Sequence, residues 1–160
     1  LNVAKSGIFL AINSILLLST NYIPINTISL LALASLMSAF VIIELNLKTG
    51  VVFTIASLIL SSILIHNKFH SVVYIITFGN YGVIKYIIES KFKLKIQYVI
   101  KIAYSLMAFS ILYMVARRFI NVNFKLIYIL GLEILYFIYD YVYSHAIDYY
   151  INTLKPKIIK

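Results

Sequence analysis

The chain has 160 residues, 62% of them hydrophobic and only 12% charged, with a mean hydropathy of +0.98. A soluble domain is nearer half apolar and a quarter charged, so an ordinary water-soluble globule is excluded. With no Cys, disulfides, thiolate catalysis and thiolate-bound metal are excluded as well, and the net charge of +9 falls between apolar runs, where membrane topology explains it better than nucleic acid does.

At roughly 20 residues per span, this length holds about six membrane helices with short links and no separate soluble domain. The first apolar run covers residues 6–22 and stops at Pro24, with Asn21 and Asn26 beside it. No small-residue cleavage site and soluble domain follow, so the run reads as a retained helix rather than a removed signal peptide. The second run, 27–43, ends at Glu44, and the polar turn from Asn46 to Gly50 leads into the third, 51–65. The link His66-Asn67-Lys68 opens the fourth, 69–88, and Lys91, Lys93 and Lys95 form the next connection. The fifth, 96–116, closes on Arg117-Arg118; the sixth, 124–150, ends before Lys155-Pro156-Lys157. The runs are continuous rather than alternating, which argues against β-barrel strands. The predicted fold is all-α: one integral membrane bundle over residues 1–160.

Basic residues set the orientation. With a cytoplasmic N-terminus, ten of the 14 Lys and Arg lie inside and only Lys68, Arg117, Arg118 and Lys125 lie outside. The positive-inside rule therefore predicts both termini in the cytoplasm of a bacterial cell membrane. With no Trp, the interface belt falls to Tyr, and Tyr22, Tyr98, Tyr149 and Tyr150 stand where anchors belong.

The two halves differ. Small residues crowd the first three runs, several of them four apart: Gly7/Ala11, Ala34/Ser38, Ser35/Ala39 and Ser57/Ser61. In lipid, such strips let helix backbones approach closely, either within a bundle or against a second membrane protein. Tyrosine is distributed the other way, twelve of 14 following residue 80. Tyr128, Tyr136, Tyr139, Tyr141 and Tyr143 fall too deep in the sixth run for all to be interface anchors, so some must find hydrogen-bond partners or line a pocket.

Glu133 and Asp140 are the strongest functional candidates. Seven residues apart, they share a helix face, which Ser144 extends and Tyr136 flanks, and carboxyls near the middle of a span are normally paired, protonated or turned to a cavity. In the fourth run, Gly79-Asn80-Tyr81-Gly82 predicts a weakened helix with an amide available to a ligand or a neighbour. His66 and His70 have metal-compatible spacing but no third ligand nearby in sequence. His145 reads as an amphipathic anchor, Arg117-Arg118 as a phosphate contact, and Glu44/Lys48 and Lys85/Glu89 as surface i,i+4 pairs. No zincin helix, phosphate loop or nucleophile elbow is present, which disfavours an enzyme. No cofactor is implied.

Ile43-Glu44-Leu45 through Lys48-Thr49-Gly50, Phe78-Gly79-Asn80-Tyr81 through Ile84-Lys85, Ile88-Glu89, and Ile138-Tyr139-Asp140-Tyr141 resemble a family of small six-helix membrane proteins of clostridia and other Firmicutes, over most of the chain. That family carries Tyr-Tyr-Pro after the glycine of the fourth helix, where this chain has Asn80-Tyr81-Gly82. More distantly, the layout is similar to the substrate-binding S components of energy-coupling factor (ECF) vitamin transporters. That resemblance implies a docking face at Ala34, Ser35, Ser38 and Ala39 for a coupling transmembrane subunit with its ATPases. It also implies a small-molecule pocket that includes Asn80, Glu133 and Asp140. The rod-shape MreD proteins are similar in size and span number, and imply instead a scaffold of the cell envelope. A proton-coupled carrier or a small membrane enzyme using Glu133 or Asp140 is a third class.

Overall fold

The computed structural model describes residues 2–118 and 126–158, and every described element is helical. The chain divides into two compact units, Leu1–Val122 and Asn123–Lys160.

The first unit begins with α1 (Asn2–Ser19), and a 3-10 turn, Pro24–Asn26, leads into α2 (Thr27–Glu44). α3 (Leu47–Leu64) starts on a side-chain cap: Asn46 Oδ1 accepts the Thr49 amide at 2.8 Å and the Thr49 hydroxyl at 3.0 Å. An N-cap satisfies amides that the first helical turn leaves unpaired. It draws the polar Lys48-Thr49-Gly50 into α3, four residues ahead of the predicted start. Asn67 caps α4 (Lys68–Val73) in the same way, through the Phe69 amide at 3.0 Å. Next comes a widened turn, Tyr74–Phe78, then α5 (Tyr81–Lys91) and α6 (Leu94–Ala116).

Helices α1, α2 and α3 pack on one another, with α5 and the widened turn against α2 and α3 and with α6 against both α5 and that turn. Leu17, Leu31, Ala34, Ile65 and Tyr74 form the sealed centre, flanked by Leu58, Val73 and Phe78. A closed polar network crosses it. Asn13 Nδ2 donates to the Ala34 carbonyl at 2.8 Å and to the Tyr74 hydroxyl at 3.2 Å, while Asn13 Oδ1 accepts the Ser57 hydroxyl at 2.9 Å. Ser57 and Tyr74 are themselves 2.7 Å apart, oxygen to oxygen. In an interior without water every such group needs a partner, and this one network ties α1, α2, α3 and the fourth span together. Asn21 adds a second stitch, donating to the Leu64 carbonyl at 2.8 Å and accepting the His66 amide at 2.9 Å. Those bonds hold Asn21 outside α1, which ends at Ser19, short of the predicted 22.

The outward faces are apolar. Ile8, Ile15, Ile28, Val52, Ile63 and Val99 are all exposed. Helices that are apolar both inside and out suit a lipid surround. Among the described residues, four segments are long and apolar enough to cross a membrane, namely Pro24–Glu44, Leu47–Leu64, Lys68–Lys91 and Leu94–Ala116, and Val3–Ser19 is a shorter apolar helix. These are the dimensions of a membrane protein.

The second unit is α7 (Leu126–Tyr149), a widened turn at Tyr150–Leu154 and α8 (Lys155–Ile158). The 24 residues of α7 reach about 36 Å at ~1.5 Å per residue, enough to span, and Glu133 and Asp140 lie within it.

Candidate functional site

The fourth apolar run is interrupted where its glycine pair falls. The Gly79 amide donates to the Tyr74 carbonyl at 2.7 Å, a five-residue step instead of four, so one turn is wider than an α-helix. Such a bulge inserts one residue into the helix and shifts the register of all that follows. Gly79 is needed there, because a Cβ would lie 2.5 Å from Leu58 Cδ2 and 2.9 Å from Tyr74 Cε1.

Asn80 follows directly and faces α6. The Tyr104 hydroxyl donates to Asn80 Oδ1 at 2.9 Å and leans toward the Ile76 carbonyl at 3.4 Å. The Asn80 amide nitrogen is half-buried and donates to no group among the described residues. Tyr81 is fully buried, its ring 6.2 Å from that of Tyr104. Between α5 and α6 runs an apolar groove of about 350 Å³, with Ile84, Ile87 and Ile88 on one wall and Ile100, Tyr104 and Met107 on the other. The arrangement offers an apolar slot with an amide donor close to Tyr104 on its wall. It holds no nucleophile with a base beside it.

One to two turns further along, Lys85 of α5 and Lys101 of α6 each place Nζ 2.7 Å from the same oxygen of Glu89 on α5. The lysine side chains are 2% and 6% exposed and the Glu89 side chain 39%, so two buried cations converge on one half-exposed carboxylate. Gln97 closes the loop by donating to the Phe92 carbonyl at 2.8 Å. The i,i+4 pair read at Lys85/Glu89 is therefore present but not a surface feature. Glu44/Lys48 is corrected: Glu44 ends α2, Lys48 lies in the first turn of α3, and the carboxylate of Glu44 sits 3.6 Å from Lys5 on α1 instead.

In the second unit, Glu133, Tyr136, Asp140 and Ser144 lie along α7 at helical spacing, with Asp140 and Tyr136 shielded from solvent and Glu133 and Ser144 partly so. The Ser144 hydroxyl donates to the Asp140 backbone carbonyl at 3.0 Å, a bond internal to the helix. Tyr143 is buried and stacks edge-on with Tyr139, centroids 5.5 Å apart, whereas Tyr128 and Tyr141 are exposed. Of the four anchor tyrosines, Tyr22, Tyr98 and Tyr149 are exposed and Tyr150 is buried. His66 lies in the link before α4 and His70 within it, and no group of three His, Cys, Asp or Glu gathers among the described residues.

The small-residue strip is used internally. Ala34 and Ser35 are fully buried and Ser38 and Ala39 nearly so, packed inside the first unit. Their hydroxyls bond to their own helix, Ser35 to the Ala32 carbonyl at 2.6 Å and Ser38 to that of Ser35 at 2.8 Å. These four side chains are buried rather than presented on the surface.

Sequence reasoning missed Asn13, Tyr104 and Lys101. Each was visible as a lone polar residue inside an apolar run, which in a membrane helix marks a hydrogen-bond partner on a neighbour. No family model matches the chain, and no curated protein or solved structure is significantly similar to it.

Proposed function

We propose that this chain is a six-span membrane protein of the bacterial cell membrane, both termini cytoplasmic, that binds a small molecule at Asn80 as the substrate-binding subunit of an uptake transporter. One observation supports the reading: after the widened turn, the Asn80 amide nitrogen has no acceptor among the described residues, while its oxygen is held by Tyr104, which lines an apolar groove. Interrupted helices with ligand groups near mid-depth are a recurring way to build transporter sites. The ligand is a small molecule with an apolar body and a hydrogen-bond acceptor for Asn80 Nδ2. The carboxyls of Glu133 and Asp140 are a separate candidate contact, and favour a cationic or donor-bearing group. Six spans and the orientation rest on the charge asymmetry of the links and on the length of α7.

The test is purification from native membranes in mild detergent, with mass spectrometry of co-purifying proteins and small molecules, on the wild type and on Asn80→Ala. A small molecule retained by the wild type and lost from a folded Asn80→Ala, together with an ATPase-bearing partner, is the expected result. Recovery of cell-envelope synthesis proteins with no ligand and no ATPase overturns the reading in favour of a scaffold.

A further inference from the structure

The end of α6 opposite the Lys91–Lys95 link carries positive charge that no ion pair among the described residues balances. Arg117 and Arg118 follow the last turn, both exposed, and neither makes an ion pair among the described residues. No Asp or Glu lies between Glu89 and Glu133 in the sequence, and the first unit's two acidic residues, Glu44 and Glu89, are engaged with Lys5 and with Lys85 and Lys101. In the proposed orientation, the one premise shared with the proposed function, the pair falls on the outer side, where the positive-inside rule does not account for it.

The local geometry has the form of a headgroup seat. Ser110, Tyr113, Met114 and Arg117 follow one another at i, i+3, i+4 and i+7, which places them on one helix face. Together with Arg118 they line an open recess of about 700 Å³. The Arg117 guanidinium lies over the Tyr113 ring, 5.6 Å from its centroid, which reduces the freedom it would lose on binding. The Ser110 hydroxyl is bonded to the Leu106 carbonyl at 2.7 Å, so the guanidiniums are the donors. Met114, 71% exposed, gives the lower wall an apolar surface continuous with the membrane-facing side of α6. Two adjacent guanidiniums match the planar, two-point recognition of phosphate oxygens better than two ammoniums would.

We infer that Arg117 and Arg118 bind a phosphate-bearing anion, seated as the headgroup of an anionic phospholipid whose acyl chain runs down the Met114 side of α6. The inference stands apart from the small-molecule reading, since it uses other residues at another depth.

It is tested with the full chain in nanodiscs of phosphatidylglycerol and phosphatidylcholine, extracted into detergent and weighed by native mass spectrometry for retained lipid. Each basic residue at a membrane surface is worth about 1 kcal/mol, so Arg117→Gln/Arg118→Gln is expected to lower phosphatidylglycerol retention roughly 30-fold, with phosphatidylcholine unchanged. Arg117→Lys/Arg118→Lys keeps the charge without the fork and is expected to retain an intermediate amount. Adding inorganic phosphate separates the sources: retention that persists identifies a lipid site, and displacement identifies a site for the phosphate group itself. Equal retention of the two lipids by the wild type, or full retention by a monodisperse Gln variant, overturns the inference. If the Gln variant aggregates, wild-type phosphatidylglycerol retention unaffected by raising salt overturns it instead.

Discussion

Helices α1–α3 and the α4–α6 region each bury polar side chains in an apolar setting, and they do so with opposite results. Around Asn13 the polar atoms close on one another: the amide nitrogen serves Ala34 and Tyr74, the amide oxygen takes Ser57, and Ser57 meets Tyr74. Around Asn80 the same residue type is half-satisfied. Its oxygen takes Tyr104, and its nitrogen has no acceptor among the described residues. The difference lies in the backbone, because the five-residue step at Gly79 breaks the regular packing around Asn80, while Asn13 sits in an uninterrupted helix. A closed network holds helices together, whereas an open one keeps a donor for something else. Substitutions on either side can break this contrast.

The largest effect is expected at Asn13. Asn13→Ala removes three hydrogen bonds at a fully buried position and leaves a cavity. Interhelical bonds in membranes average about 0.6 kcal/mol each, so three of them plus the cavity come to about 3 kcal/mol. Unfolding in a graded series of mixed micelles reads that loss directly; a change under about 1 kcal/mol means the ring does not hold the core. Next is Gly79→Ala. Its Cβ has no room between Leu58 and Tyr74, and overpacking of this kind costs about 1–3 kcal/mol. A stable Gly79→Ala with wild-type ligand retention would show that the widened turn is not required.

A stabilising change is expected at Thr54. Its hydroxyl is buried on α3, one turn before Ser57, and has no hydrogen-bond partner among the described residues. Thr54→Val keeps the shape and removes the unmet group, so melting should rise by the equivalent of about 1 kcal/mol. A lower melting temperature would show that the hydroxyl is satisfied after all.

How much of this was legible depends on whether the cause lay nearby in sequence. The helix runs were legible because continuous apolar stretches ended at charges or turn residues: 27–43 became Thr27–Glu44, and 96–116 became Leu94–Ala116. The start of α3 was misplaced because Lys48 and Thr49 look like loop residues, and only the Asn46 cap shows that they open a helix. The break at Gly79-Asn80 was legible as weakness, while the close approach of Leu58, from another helix, that leaves no room for a Cβ at Gly79 was not. The small-residue strip was legible as close packing, but a one-dimensional pattern does not say whether it faces its own bundle or a partner. Ala34, Ser35, Ser38 and Ala39 are all buried, and α2 packs against α1, α3, α5 and the widened turn. Tyr104 and Lys101 stayed hidden because their partners lie 24 and 12 residues away on another helix.

The smallest expected effect on stability belongs to Tyr104→Phe, and it is the one that separates a site from a stitch. The substitution removes the hydroxyl's bond to Asn80 and its longer one to the Ile76 carbonyl, together worth about 1 kcal/mol or less, which barely moves the unfolding midpoint. It also frees the Asn80 oxygen and adds no bulk to the groove wall. If Asn80 serves only to hold α5 against α6, nothing else follows. If Asn80 presents its amide to a ligand, the phenol fixes which way the amide points, and losing it should lower ligand retention several-fold while the fold is intact. A Tyr104→Phe protein with wild-type retention would place Asn80 with Asn13, as another closed contact between helices.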